Sequence, residues 1–317
     1  MKRQRTLLIT VAFATLAAPL AACRPEFAPF NRIEALRILA VQAEPATPLS
    51  GETSTLSALV FTPTPDPTLA YHWSWCPLGG QANDGYACPF KEDELNGYLA
   101  DAMLPPLPPF DLSVDATATL TNSIDPSVFV AICSGVLTPG MPIDCSGGFP
   151  IQLMLTVTTA TDSVTAVQKM KLRFDPATPA NANPPVDGLS ARVNGVLIPL
   201  SDVATVTLPR DRGTLIFADA DPAISETYAG LDDDGNPATL KERMFMTWFV
   251  ESGDTDDRST SFVNNGTTDF AALLQNTWTP AKAKDYAAST ARLYVVMHDN
   301  RQGVSWRSAI VNLEPTP

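Results

Sequence analysis

The stretch Leu69-Ala70-Tyr71-His72-Trp73-Ser74-Trp75-Cys76 decides the fold. Its residues alternate in character with a period of two, which is the repeat of a β-strand and not of a helix. Tyr71, Trp73 and Trp75 share one face, and His72, Ser74 and Cys76 share the other. Side chains as large and apolar as tryptophan belong inside, so the aromatic face is the core face.

Working outward, the sequence before this stretch carries strand patterns at 33–43 and 53–61, separated by the turn Pro48-Leu49-Ser50-Gly51. Behind it, residues 77–112 break the rhythm. Cys76 and Cys88 flank Gly79-Gly80, and Pro105-Pro106 and Pro108-Pro109 follow, so this segment reads as an insertion with a helical turn near 91–99. Strand patterns resume at 112–120, 128–132, 149–158 and 164–174, the last two joined by the turn-forming Thr159-Ala160-Thr161-Asp162-Ser163. Four prolines and several small residues then mark 176–186 as a linker.

The second half repeats the scheme. Gly213-Thr214-Leu215-Ile216-Phe217 stands where Thr55-Leu56-Ser57-Ala58-Leu59 stood, and Met246-Thr247-Trp248-Phe249-Val250 stands where Tyr71 to Trp75 did, with Trp248 matching Trp73. Residues 292–298, the turn Asp299-Asn300-Arg301-Gln302-Gly303 and residues 304–313 match the hairpin that closes the first half. Short helices are expected at 267–274 and 281–288. Many Thr/Val runs and 29 prolines make the chain all-β. The expected organisation is a leader at 1–22, an anchor and tether at 23–31, a first domain at 32–175 with the insertion at 77–112, the linker, and a second domain at 187–317.

The leader consists of Lys2, Arg3 and Arg5, an apolar core from Leu7 to Leu16 and small residues, ending in Leu20-Ala21-Ala22-Cys23. These are the parts of a secretory signal peptide. Its apolar core is shorter than the roughly 20 residues that a spanning helix needs. The sequence Leu-Ala-Ala-Cys resembles the lipobox of bacterial lipoproteins. That resemblance implies acylation of Cys23 by diacylglycerol and a fatty acid such as palmitate. Arg24 after the cysteine, in place of Asp, implies the outer membrane by the same resemblance.

Removing residues 1–22 takes away three basic side chains and no acidic one, leaving a formal charge of −16. Such a surface repels nucleic acid, because binding there depends on neutralising phosphates with Lys and Arg. Cys76, Cys88, Cys133 and Cys145 make an even set in an exported chain and read as two disulfides. The pairing Cys76 with Cys88 and Cys133 with Cys145 is favoured because each pair brackets a short loop. Crossed pairing between the loops is the alternative.

Short strands at regular spacing with a core tryptophan on the third strand resemble an immunoglobulin-like or PKD-like sandwich. Residues Leu36 to Pro45, Pro48, Gly51-Glu52-Thr53 and the Trp-Ser-Trp-Cys-Pro around Cys76, with Trp248, Met297-His298-Asp299 and Trp306 in the second half, resemble uncharacterised myxobacterial-type surface lipoproteins. The expected fold is therefore two tandem immunoglobulin-like β-sandwiches, with a disulfide-bearing insertion in the first. The resemblance carries over no catalytic residue.

Candidate chemistry is sparse. With only His72 and His298, a histidine-based catalytic or zinc site has little to draw on. No Gly-x-Ser-x-Gly or His-Glu-x-x-His occurs. Asp219, Asp221, Asp232, Asp234 and Asp299 fall in loops expected at one end of the second sandwich, where their oxygens could hold a structural calcium ion. Trp278 is the tryptophan expected at the surface, as a sugar- or peptide-binding platform. The expected function is a non-enzymatic binding or structural module displayed at the outer membrane, with an envelope protein or glycan as partner. The alternative is an envelope hydrolase or accessory carbohydrate-binding module with its site in the 77–112 insertion.

Overall fold

A computed structural model describes residues 29–63, 68–80, 85–135, 143, 145, 147–221, 225–231, 236–261 and 270–315. Residues 1–28, Cys23 among them, lie outside these. The first half runs β1 (Arg37–Glu44), β2 (Thr53–Phe61), β3 (Ala70–Cys76), α1 (Glu92–Asp101), β4 (Asp111–Ser113), β5 (Ala118–Thr121), α2 (Pro126–Cys133), β6 (Phe149–Thr158) and β7 (Ser163–Leu172). Its two sheets have the orders β1-β2-β5 and β4-β3-β6-β7. Between them lies one core, to which the first sheet gives Val41, Leu56 and Leu120, and the second gives Trp73, Trp75, Leu153 and Leu155.

The second half runs β8 (Gly188–Val193), β9 (Val196–Leu200), β10 (Thr207–Leu208), β11 (Thr214–Asp219), β12 (Thr227–Leu231), β13 (Pro237–Lys241), β14 (Phe245–Val250), β15 (Asp254–Thr255), β16 (Ser259–Ser261), α3 (Phe270–Leu274), β17 (Gln275–Thr279), β18 (Thr290–His298) and β19 (Val304–Leu313). Two five-stranded sheets, β10-β19-β18-β14-β16 and β15-β17-β11-β8-β9, enclose a second core around Trp248 and Trp278.

The two halves share one topology. The mid-strand tryptophan lies opposite a residue on the first strand of the closing hairpin in both, Trp73 against Leu155 and Trp248 against Val295. That hairpin is β6-β7 in one half and β18-β19 in the other. In the facing sheets β1-β2-β5 corresponds to β8-β11-β17. Each indole also finds an acceptor, because a buried N–H left without one is costly. Trp73 donates to the Asp115 carbonyl at 3.1 Å and Trp248 to Thr260 Oγ1 at 2.9 Å.

Three segments depart from the expected elements. Residues 128–132 are not a strand but lie within α2. Asp125 caps the helix by accepting from the Ser127 amide at 2.8 Å, Pro126 opens it, and Val128 and Ile132, one turn apart, are both buried. The Ser127 hydrogen bonds also hold the Asp125 carboxyl below its usual pKa. A short apolar run cannot reveal which of two periods it will adopt, and here the cap decided. Residues 112–120 divide into β4 and β5, which belong to different sheets, because Ser113 Oγ accepts from the Asp115 amide and turns the chain. Residues 281–288 contain a single turn closed on the Lys282 carbonyl and no helix.

The disulfides join Cys76 to Cys88 and Cys133 to Cys145, the pairing that brackets the two short loops. The insertion docks α1 through Leu95 and Leu99 onto the first core. It also lies over β6, where buried Gln152 donates to the Tyr86 carbonyl at 2.6 Å. No helix among the described residues is long and apolar enough to cross a membrane.

Candidate functional site at the junction of the two sandwiches

The junction begins with an uninterrupted apolar run. Leu39, Ala40 and Val41 of β1 are all buried, and so are Leu293 to Met297 of β18. Consecutive strand residues point to opposite faces, so these runs are covered on both sides; in β1 a bulge at Leu39 turns Leu39 and Ala40 to one side and Val41 to the other. One side of each strand faces its own sandwich. The other side forms a third core, in which Leu39 and Phe61 of the first sandwich meet Phe249, Tyr294, Val296 and Val304 of the second. Phe61 and Tyr294 pack edge to face with centroids 6.2 Å apart. Burying a side chain of this size contributes about 1.5–3 kcal/mol relative to leaving it in water, so the two halves are held as one body.

The segment entering the first domain strengthens this junction. Before β1 begins, the chain pairs with the second sandwich: Ile33 donates to the Val250 carbonyl at 3.0 Å, and Val250 donates to the Asn31 carbonyl at 2.9 Å. Buried Asn31 Nδ2 donates to Thr255 Oγ1 at 2.7 Å. Beside this strand lies a cleft of ≈ 580 Å³, lined by Arg32, Glu34, Phe61, Glu251, Asp285 and Tyr286 among others.

A polar network closes the opposite side. The linker follows an extended course, but its asparagines dock to both halves. Asn181 donates its amide to Thr47 Oγ1 at 2.8 Å and its side chain to Asp299 Oδ2 at 3.0 Å. Asn183 Nδ2 donates to the Ala43 carbonyl, while its oxygen accepts from the Val304 amide at 2.9 Å. Arg301 Nη1 reaches Glu226 at 3.2 Å and Glu242 at 3.0 Å, and Nη2 donates to the Pro179 and Ala180 carbonyls. Its guanidinium lies over the Tyr228 ring of β12. Burial raises the Glu242 carboxyl above its usual pKa, only partly offset by the Glu226 amide and Arg301. Gly303 allows the close approach, since a Cβ there would meet Asp299 Oδ2 at 2.2 Å. A cleft of ≈ 570 Å³ runs along this network, between Lys171 and Asp175 on one side and Tyr228, Asn300 and Arg301 on the other.

The calcium expectation is corrected here at Asp299. Asp299 is buried, and its oxygens accept from Arg301 N at 2.7 Å, Gly303 N at 2.8 Å and Asn181 Nδ2. It locks a turn instead of facing a cation. Asp219 ends β11 at the surface, beside Ser190, and Asp221, two residues on, is exposed. Asp232 and Asp234 fall outside the described residues. Among the described residues no three or more His, Cys, Asp or Glu gather as metal ligands.

Trp278 is corrected as well. It is fully buried and donates to the Ser252 carbonyl at 2.7 Å. The segment 275–279 is a strand, and its alternation turns Asn276 and Trp278 inward. Trp75 is equally buried, and Trp306 is half-buried against the third core. None of the three forms an open platform.

In the 77–112 insertion two polar side chains of α1 serve the insertion's own backbone. Glu92 accepts from the Phe110 amide at 2.7 Å and Asn96 from the Leu107 amide at 2.8 Å. On its rim His72 Nε2 lies 3.0 Å from Asp111 Oδ1, both exposed. A carboxylate and an imidazole at this distance are two parts of a hydrolytic triad. Among the described residues no hydroxyl or thiol is hydrogen-bonded to that imidazole. His298 stacks on Phe245 with centroids 4.6 Å apart, and burial lowers its pKa to about 4, so it stays neutral at ordinary pH.

Two sandwiches of shared strand order, each with a buried mid-strand tryptophan, define a tandem immunoglobulin-like β-sandwich protein. No family model matches the chain, and no curated protein matches it. Similar solved structures include murine CEACAM1b, at 10% identity over 88% of this chain and 100% of that one, with a TM-score of 0.21. A chimeric titin Z1Z2 carrying an exogenous decorin peptide matches at 12% identity over 89% of this chain and 98% of that one, TM-score 0.22. Three N-terminal domains of the highly immunogenic outer capsid protein of bacteriophage RB49 match at 11% identity, over 89% and 71%, TM-score 0.21. The strand orders and the two cores define the fold of this chain.

Proposed function

We propose that this protein is a lipid-anchored module of the outer membrane, attached through Cys23, that binds or braces envelope components without catalysis. The observation that carries the reading is the third core. A chain that fuses two sandwiches through Phe61, Phe249 and Tyr294 presents a rigid surface of fixed geometry, which favours binding because little freedom is lost when a partner docks. The lipobox-like end of the leader supplies the address, and the formal charge of −16 after its removal directs the partner search toward proteins and glycans and away from nucleic acid.

Metabolic labelling with a palmitate analogue, followed by membrane fractionation, tests the anchor. The wild type is expected to carry label in the outer-membrane fraction, and Cys23→Ser to lose both label and membrane association. An unlabelled wild type in the soluble fraction would overturn the reading. Crosslinking in intact envelopes then identifies the partner, with the Cys23→Ser protein as the control for membrane-dependent capture.

A further inference from the structure

We propose that the junction face around Phe30, Arg37 and Arg258 seats on the lipid headgroup layer beneath the protein, so that both sandwiches stand on the bilayer side by side. The inference rests on the lipid anchor at Cys23. Only six peptide steps separate Cys23 from Pro29, the first described residue, and six extended residues span at most about 20 Å. The chain emerges there against the second sandwich as well as the first, since Asn31 is bonded to Thr255 and Arg32 is paired with Val250 before β1 begins. A tether leaving from the first domain alone would let the second point away from the membrane. This one fixes both near it.

The face itself has the composition of a membrane interface. Phe30 is 44% exposed and stands edge-on to Phe249. The Arg258 guanidinium lies 6.0 Å from the Phe30 ring centroid, and the Arg37 guanidinium lies over Phe249 while donating to the Phe30 carbonyl. Aromatic rings and guanidinium groups together suit the headgroup layer, where an apolar body and a charged tip are both accommodated. Among the described residues neither Arg37 nor Arg258 forms an ion pair. The nearby carboxylates Glu34 and Asp254 are engaged by Arg32. Asp256 and Asp257 are exposed in the turn before Arg258, so the seating follows from the tether and Phe30 and not from net charge.

The test uses the full-length acylated protein in vesicles of phosphatidylethanolamine with a minority of phosphatidylglycerol. An environment-sensitive fluorophore is attached singly to Phe30→Cys, Arg258→Cys or Val196→Cys. Val196 lies on β9, the edge strand of its sheet opposite β15 and Thr255, four strand spacings or about 19 Å away. Labels at 30 and 258 are expected to lose most of their emission to a headgroup-attached quencher and to resist a water-soluble one, with the reverse at 196. Labels at 30 and 258 that behave like the one at 196 would overturn the seating while vesicle flotation still showed an intact anchor. Shielding at 30 and 258 from both quenchers, as a protein partner or second copy would give, overturns it too. Failure of the acylated protein to float at all would remove the anchor reading, and this proposal with it.

Discussion

The two sandwiches have one strand plan and are held together by different means. The first has sheets of three and four strands, and it adds two disulfides and two helices. The second has two five-stranded sheets and no cysteine. The first domain fills its core with the docked helices and loops as well as its sheets, and covalent closure of two of those loops restricts the unfolded chain. The second closes its loops without a covalent bond, through side chains such as Asn276, which holds the Asp257 loop through both its nitrogen and its oxygen. The same topology therefore tolerates two economies of stabilisation, provided that the tryptophan strand and its hairpin are kept.

Truncating the tryptophan should have the largest effect and should not distinguish the halves. Trp248→Ala and Trp73→Ala each remove a fully buried side chain and are expected to lower stability by about 3–5 kcal/mol in urea unfolding. A loss well below that at either position would show that its core is not the structural centre of its half. Breaking the disulfides should distinguish them. Replacing Cys76 and Cys88 together by alanine is expected to cost about 2–4 kcal/mol. Hydrogen exchange should rise first in β3 and α1. Through the third core it should rise in β14 as well, and unchanged β14 amides would mean that the halves unfold independently.

Acidification sharpens the comparison further, because the first half has no buried histidine to match His298. A base whose folded pKa lies near 4 against 6.5 unfolded binds fewer protons when folded. Its contribution is present above about 6.5 and lost as pH falls toward 4, by at most about 3 kcal/mol, and less because the ring edge keeps some solvent. Glu242 works in the opposite sense. Its raised pKa gives a contribution that is full below 4.5 and lost as pH rises through the folded value. His298→Phe, which keeps the stack on Phe245, should flatten the loss of stability between these pH values, and an unchanged slope would assign it to other groups. The smallest effect is expected at the junction. Asn181→Ala leaves buried Asp299 one donor short and should cost about 1–3 kcal/mol, visible as faster exchange at Arg301 and Gly303.

Much of the fold was legible because strands that are half buried show it. The alternation at Tyr71 to Trp75 and its echo at Met246 to Val250 led to two sandwiches, and the spacing of the cysteines led to the loops that they close. Short apolar runs were less legible. Val128 to Ile132 has the composition of a strand, and its helix depends on a cap at Asp125. Trp278, a single tryptophan between polar neighbours, has the local pattern of a loop residue, whereas pairing with β11 makes it an inward-facing strand residue. Asp299 looked like a calcium ligand because a turn aspartate and a metal-binding aspartate have the same chemistry until their acceptors are counted. The junction did leave a signal: the unbroken runs Leu39-Ala40-Val41 and Leu293 to Met297 require cover on both faces.

By itself the sequence determined the period of the strands, the number of repeats and the pairs of cysteines close enough in the chain to close short loops. These are local properties, set by side-chain alternation and chain length. Only the tertiary structure decided what covers the second face of β1 and β18, where the asparagines of the linker find partners, and that residues 31–33 pair with the distant strand β14 before β1 begins. Those contacts join residues more than a hundred positions apart, and no local pattern specifies a partner at that distance. Apolar character says that a face must be buried, and packing alone says against what.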